Sequence, residues 1–218
     1  MSEVGREAWE APFTAAERQW LEELAHFSSA TLHEAGAKFG ALPPEIKPLD
    51  PGWRLCGVAT TVATAPYDNL WIHRAIYAAA PGSVLVVDTA MAYFAGYWGG
   101  VMTHAAMARG LGGLVIDGCV RDAAELRQLN WPVFSRGLCI QGTRKEPAAP
   151  GGVNIPVRLG QTWVYPRDLV VGDEDGVVVI RRQDLSAVLE RARQREAAEA
   201  KIREALRQGA TTLELYGW

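Results

Sequence analysis

Cysteine is scarce. Three residues, Cys56, Cys119 and Cys139, form no CxxC pair and are odd in number, so neither a disulfide framework nor a zinc site is expected. They read as reduced core residues of a cytoplasmic protein. No apolar run approaches the roughly 20 residues that a bilayer span needs. No basic N-terminal segment leads into an apolar one, so no secretory leader is expected. Positive charge is not in excess: 22 Lys and Arg against 25 Asp and Glu give a net charge of −3, which argues against a nucleic-acid binder. The chain also lacks a G-x-G-x-x-G turn of the dinucleotide-binding kind, an internal repeat and a low-complexity linker.

What remains is the composition of an ordinary globular protein, with 49% apolar and 22% charged residues. At 218 residues it is long enough for one domain with a sizeable core. Three parts are expected within that domain: an N-terminal helical extension (1–50), a core (53–182) and a C-terminal helix (183–210). Thr14 and Glu17 have capping-box spacing and open an amphipathic helix over 14–27. Thr31 and Glu34 repeat that spacing for a second, short helix ending near Gly36. Residues 53–65, rich in Val and Thr, predict a strand. Asp68 or Asn69 then caps a helix over 70–80, which Pro81-Gly82 ends.

The run 83–88, SVLVVD, fits a strand buried on both faces. A long loop, 89–100, leads to a helix over 101–109 and a further buried strand at 114–117, a parallel crossover unit. Ordered loops of that length are usually functional. The second half changes character. Short strands at 133–140, 153–159, 162–165, 169–171 and 177–181 are separated by Gly, Pro and Asp, and Asp175-Gly176 signals a hairpin. Parallel units followed by an antiparallel layer predict an α/β fold of the β/β/α sandwich kind. Residues 184–208 form a long charged helix with Arg195, Glu199 and Arg203 at i,i+4 spacing. Its apolar positions are mostly alanine, which suits a helix lying across a second subunit. That helix and the apolar tail TTLELYGW predict a homo-oligomer, a trimer or a hexamer.

The most informative stretch is 96–122, GYWGGVMTHAAMARGLGGLVIDGCVRD. A glycine-rich loop opens a helix, a buried strand follows, and a turn presents Arg121 and Asp122 side by side. Strand-end loops of α/β sheets are where ligands bind. An adjacent guanidinium and carboxylate there can hold an anion and a divalent cation together. Asp122 is equally placed to cap the helix over 123–129. Gly99, Gly100, Val101 and Met102 open the earlier helix with free N–H groups, which attract an anion without a charged side chain.

With TLHEAGAKFG, PYDNLWIHRAI and LVVGDEDGVVVI, the motif GLVIDGCVRD resembles the RraA-like family over about 29–216. That family includes ribonuclease E activity regulators and metal-dependent class II pyruvate aldolases, which cleave 4-hydroxy-4-methyl-2-oxoglutarate and 4-carboxy-4-hydroxy-2-oxoadipate. The resemblance implies a swivelling β/β/α fold and a role for each matching residue. Arg121 would bind the carboxylate and keto oxygen of a pyruvoyl group, and Asp122 would ligate Mg²⁺ or Mn²⁺. The amides of residues 99–102 would bind the substrate carboxylate. Glu199, with Glu196 as the alternative one turn away, would reach a neighbouring subunit's site and orient metal-bound water.

One departure stands out. The family usually has Gly-Asp or Gly-Glu after the loop aromatic, where this chain has Gly99-Gly100, and His104, one turn on, is a candidate to stand in for the missing acid. The implied activity is metal-dependent release of pyruvate from a 4-hydroxy-2-oxo polycarboxylic acid, with oxaloacetate decarboxylation through the same enolate. The alternatives are another metal-enolate reaction, a hydration or decarboxylation, and a non-catalytic regulator that binds a protein partner. The regulators lack a long C-terminal helix, which this chain has. A small-molecule 2-oxo acid is therefore the expected partner, with no nucleic acid and no membrane.

Overall fold

The computed structural model describes residues 13–218; the first twelve residues of the expected N-terminal extension lie outside the described residues. Helix α1 (Ala15–Leu24) begins with the expected capping box: Thr14 Oγ1 accepts from the Glu17 amide at 3.2 Å, and Glu17 Oε2 accepts from the Thr14 amide at 2.8 Å. Helix α2 (Ser29–Ala35) starts earlier than the Thr31–Glu34 spacing predicts. Ser28 is its cap and accepts from the Thr31 amide at 3.0 Å, so Thr31 lies within the first turn.

Strands β1 (Lys47–Pro48) and β2 (Leu55–Thr64) precede helix α3 (Leu70–Ala78). Strand β3 (Val84–Asp88), helix α4 (Gly100–Ala108) and strand β4 (Gly113–Asp117) form the expected crossover unit, with β3 and β4 parallel and Asp88 opposite Asp117. Short β5 (Cys119–Val120) leads to α5 (Ala123–Leu129), then β6 (Val133–Ser135) and β7 (Gly137–Leu138). The second half adds β8 (Gly151–Val153), β9 (Val157–Leu159), β10 (Thr162–Val164), β11 (Leu169–Asp173) and β12 (Gly176–Ile180). Helices α6 (Leu185–Arg207) and α7 (Thr212–Tyr216) close the chain.

The main sheet runs β1-β6-β4-β3-β2-β11-β12, and β8 also pairs with β2. Its β6-β4-β3-β2 portion is parallel, while β11 and β12 are antiparallel, as the change of style in the sequence predicts. The sheet is nearly closed: Lys47 Nζ on β1 donates to the Asp175 carbonyl in the β11–β12 turn at 2.7 Å.

Two strand expectations need correction. Residues 133–140 are not one strand. The chain breaks at Arg136, whose amide donates to the Gly118 carbonyl at 2.9 Å and whose guanidinium pairs with Asp117, so β7 joins β5 in a separate two-stranded sheet. Residues 153–159 also divide, because Asn154 adopts a left-handed conformation (φ 57°) and Pro156 has no amide to donate to a ladder. The hairpin at 173–176 turns on Glu174-Asp175, and Gly176 is already paired with Asp173.

Alternation along β11 and β12 separates two cores. Val170, Val177 and Val179 face a large cluster that includes Ile72, Leu85, Trp98, Leu126 and Phe134. Leu169, Val171, Val178 and Ile180 face a second cluster with Leu24, Phe27, Leu32, Leu185, Val188 and Leu189. In the first cluster Trp98 lies flat on Trp131, with ring centroids 5.5 Å apart and planes 8° apart. The long helix is anchored more firmly in its own chain than its alanine content predicts: Leu185, Val188, Leu189 and Ala192 are buried. Beyond Ala192 it is mostly exposed.

Candidate functional site

The glycine loop and β5 run side by side. The Tyr97 amide donates to the Cys119 carbonyl at 3.0 Å and the Arg121 amide to the Trp98 carbonyl at 2.9 Å. These bonds fix Arg121 and Asp122 against the start of α4. Beneath them Trp98 Nε1 donates to Thr103 Oγ1 at 2.7 Å in the buried core, and Tyr97 Oη donates to the Ala92 carbonyl at 2.8 Å, so the long loop is stapled from within.

Asp122 stands at the N-cap position of α5 with left-handed backbone (φ 61°, ψ 36°), but its side chain makes no cap hydrogen bond there. The capping role read from sequence is thus corrected. Oδ2 instead accepts from the Gly100 amide at 3.1 Å, and the Arg121 Nε lies 3.9 Å from the same oxygen. A free amide of the α4 N-terminus attracts the carboxylate more than the helix next to it in sequence does.

The close approach depends on glycine. A Cβ at Gly99 would stand 2.3 Å from Asp122 Oδ2, and a Cβ at Gly100 would stand 2.0 Å from Glu125 Oε2. The space that an acidic side chain at position 100 would enter is therefore held by the carboxylate of Glu125, delivered from α5. His104 Nε2 lies 3.4 Å from Glu125 Oε1, so the imidazole contacts the second acid and does not line the cleft.

A cleft of about 230 Å³ opens beside the Arg121–Asp122 pair, lined also by Gly99, Val101, Met102, Asn69, His73 and Lys145. Of the residues singled out from sequence, Gly99, Gly100, Val101, Met102, Arg121 and Asp122 are brought together. Glu199 is not: it lies on the projecting half of α6, 2.9 Å from Arg195 and 3.2 Å from Arg203, and does not line the cleft of its own chain. A larger cavity of about 430 Å³ lies between α2, β10, β12 and α6. It shares no residue with the smaller cleft, which alone carries the Arg-Asp pair and the helix N-terminus.

Three cleft residues were not singled out as functional from sequence. Of the two residues offered as the cap of α3, Asp68 engages the helix: its Oδ1 accepts from the Leu70 amide at 2.8 Å, while Asn69, at the N-cap position, makes no side-chain cap hydrogen bond. Asn69 turns toward the loop, where its Nδ2 donates to the Tyr97 carbonyl at 2.9 Å. Lys145 arrives from an irregular segment tied by the Asn69 amide to the Arg144 carbonyl at 3.2 Å and by the Glu146 amide to Asp68 Oδ2 at 2.6 Å. Burial, with the positive charge of Lys145, holds His73 below its ordinary pKa. The cleft thus combines two cations, a neutral imidazole and one carboxylate, a balance suited to a polyanionic ligand.

Among the described residues, no three His, Cys, Asp or Glu side chains converge as a metal cage. The donor set present is the half-exposed carboxylate of Asp122, whose Oδ1 makes no hydrogen bond among the described residues. Such a set fits an ion that keeps most of its water, as Mg²⁺ does, and does not fit a closed zinc site.

A mixed α/β fold that brings an Arg-Asp turn against a glycine-opened helix defines the class. The family model described as RraA-like: Aldolase/RraA matches residues 22–179. The chain belongs to the RraA-like family. A relative from Halalkalibacterium halodurans, named provisionally as a 4-hydroxy-4-methyl-2-oxoglutarate aldolase, is 31% identical over 201 residues, covering 92% of this chain and 95% of its own. Among solved structures, a protein from Pseudomonas syringae superposes with a TM-score of 0.76 at 33% identity, covering 92% of this chain and 96% of its own. Streptomyces coelicolor RraAS2, described as an unusual member of the RNase ES inhibitor RraA family, gives 0.76 at 28% identity, covering 88% and 99%.

Proposed function

We propose that this protein is a divalent-metal-dependent lyase that releases pyruvate from a 4-hydroxy-2-oxo polycarboxylic acid and also decarboxylates oxaloacetate. The observation that carries this reading is the seating of Arg121 and Asp122 together on the glycine-opened N-terminus of α4, at the mouth of a cationic cleft. The name borne by the Halalkalibacterium relative supports the same chemistry.

Arg121 offers a planar fork to the carboxylate and keto oxygens of a pyruvoyl unit and neutralises the enolate as the C3–C4 bond breaks. The amides of Val101 and Met102, beyond the one engaged by Asp122, bind the substrate carboxylate at the helix N-terminus. Asp122 holds the cation, Mg²⁺ or Mn²⁺, through its exposed oxygen. That ion supplies Lewis-acid polarisation of the 2-oxo group. Lys145 faces the distal carboxylate. Glu199, on the projecting half of α6, serves the cleft of a second copy in a homo-oligomer, where it would orient a water that takes the 4-hydroxyl proton, so that C4 leaves as a carbonyl and the enolate regains a proton at C3 to become pyruvate.

The test is pyruvate release from 4-hydroxy-4-methyl-2-oxoglutarate, 4-carboxy-4-hydroxy-2-oxoadipate and oxaloacetate, with Mg²⁺ and with EDTA. Release that the chelator abolishes is expected. A folded protein that releases pyruvate from none of them would overturn the reading and turn attention to regulation of a ribonuclease, since RraAS2 is described as an unusual member of an RNase ES inhibitor family.

A further inference from the structure

Asn69 is only 5% exposed, yet it lines the cleft. Its Nδ2 is committed to the Tyr97 carbonyl at 2.9 Å and the Met102 sulfur at 3.4 Å. That commitment fixes the orientation of the amide, since only a nitrogen can donate to a carbonyl. Oδ1 is then an acceptor, and it is buried without a hydrogen-bond partner among the described residues. Buried polar atoms are nearly always paired, so an orphan in a cleft wall calls for a donor brought by the ligand. The neighbouring cap makes this arrangement deliberate in physical terms. Asp68 satisfies the Leu70 amide, and Asn69, though at the N-cap position, makes no side-chain cap hydrogen bond, so its side chain is turned to the cleft.

Given the lyase reading above, we propose that Asn69 is the residue that recognises the 4-hydroxyl of the substrate, its Oδ1 accepting the hydroxyl hydrogen. Arg121 and the amides of α4 bind carboxylate and keto oxygens and supply no acceptor. Lys145 is a donor only, and the His73 ring, which offers one acceptor nitrogen, has no atom buried without a partner among the described residues as Asn69 Oδ1 has. Asn69 Oδ1 thus gives the cleft a neutral acceptor that distinguishes a hydroxylated 2-oxo acid from one without the group. A site built to pair a substrate hydroxyl discriminates strongly against analogues that lack it.

The two substrates of the proposed lyase separate this role from a structural one, because oxaloacetate has no 4-hydroxyl. In Asn69→Leu, with folding checked by circular dichroism and Tm, kcat/KM for 4-hydroxy-4-methyl-2-oxoglutarate is expected to fall at least about tenfold further than kcat/KM for oxaloacetate decarboxylation. Asn69→Asp, which keeps an acceptor of the same shape, is expected to retain more of that preference than Asn69→Leu. Equal losses on both substrates, or none, would overturn the assignment. Wild-type binding provides a test that needs no variant to fold: calorimetry in EDTA, where turnover stops, should give a lower Kd for 4-hydroxy-2-oxoglutarate than for 2-oxoglutarate by at least about tenfold, and equal values would also overturn it. Absence of turnover with either substrate would sink the lyase reading itself, and the paired analogues would still judge Asn69.

Discussion

Asp122 stands at the N-cap of one helix and gives its carboxylate to another, accepting from the Gly100 amide at 3.1 Å across 22 residues of sequence. Its backbone is left-handed, a conformation that asparagine tolerates and β-branched residues do not. Asp122→Asn is therefore expected to keep the fold, with Tm within a few degrees of wild type, while Mn²⁺ binding measured by calorimetry and pyruvate release are both lost. Asp122→Val should lose stability as well, by about 1–2 kcal/mol for the backbone alone.

Glu125 and Gly100 share one volume. Glu125→Gln is expected to weaken Mn²⁺ binding about tenfold, the scale on which groups around a ligating carboxylate act. The double change Glu125→Ala with Gly100→Asp, which delivers a carboxylate to the same space from the other backbone, should restore it. His104→Ala should leave turnover within about twofold, because the imidazole meets Glu125 and not the cleft. Undiminished metal affinity in Glu125→Gln would reduce Glu125 to a surface partner of His104.

Glu17 links α1 to the core through Arg167 and Arg182. Burial alone would raise its pKa, but the Thr14 amide and both guanidinium groups outweigh burial and bring it from 4.5 down to about 2. A lowered folded-state pKa contributes stability that is present above 4.5 and is lost as the pH falls from 4.5 toward 2. Thermal melts across that range should show Tm falling in wild type and a shallower fall in Glu17→Gln. At pH 7 the variant should be less stable by about 2 kcal/mol, since it leaves half-buried Arg167 and exposed Arg182 without their carboxylate.

Truncation after residue 193 removes the projecting half of α6 and α7 but none of the residues by which α6 is buried. The shortened chain is expected to melt within a few degrees of the full one. Sedimentation should show a smaller assembly, and lyase activity should fall at least tenfold if Glu199 serves a second copy. A truncated chain of unchanged mass and turnover would dismiss the shared site.

Much of this was legible from residue order, because the signals were local. The capping box at Thr14, the all-apolar runs of β3 and β4, and the Arg-Asp turn after a strand each depend on a few neighbours in sequence. What could not be read depended on contacts between distant segments. That Glu125 lies over Gly100 depends on the packing of α5 beside α4. Asn69 faces the cleft through its bond to the Tyr97 carbonyl of a distant loop, and Lys145 arrives through the Arg144 carbonyl. The strand over 133–140 failed for a similar reason, since Arg136 follows the pull of Asp117, whereas the break in 153–159 was local: Asn154 and Pro156 interrupt a pattern whose alternation alone looked continuous. The α6 register followed its i,i+4 pairs, but its docking on α2 and β12 was not written in its alanines.

The two apolar clusters give the molecule a division of labour. One face of the sheet supports the cleft through Trp98, Leu126 and Phe134; the other supports the long helix through Leu24, Leu32 and Leu189. They meet only through strands whose alternate side chains point opposite ways. Substitutions on the helix side should therefore add to those on the cleft side without interacting with them. A lineage could remodel the long helix while the cleft stays still, or change the cleft while the helix keeps its seat.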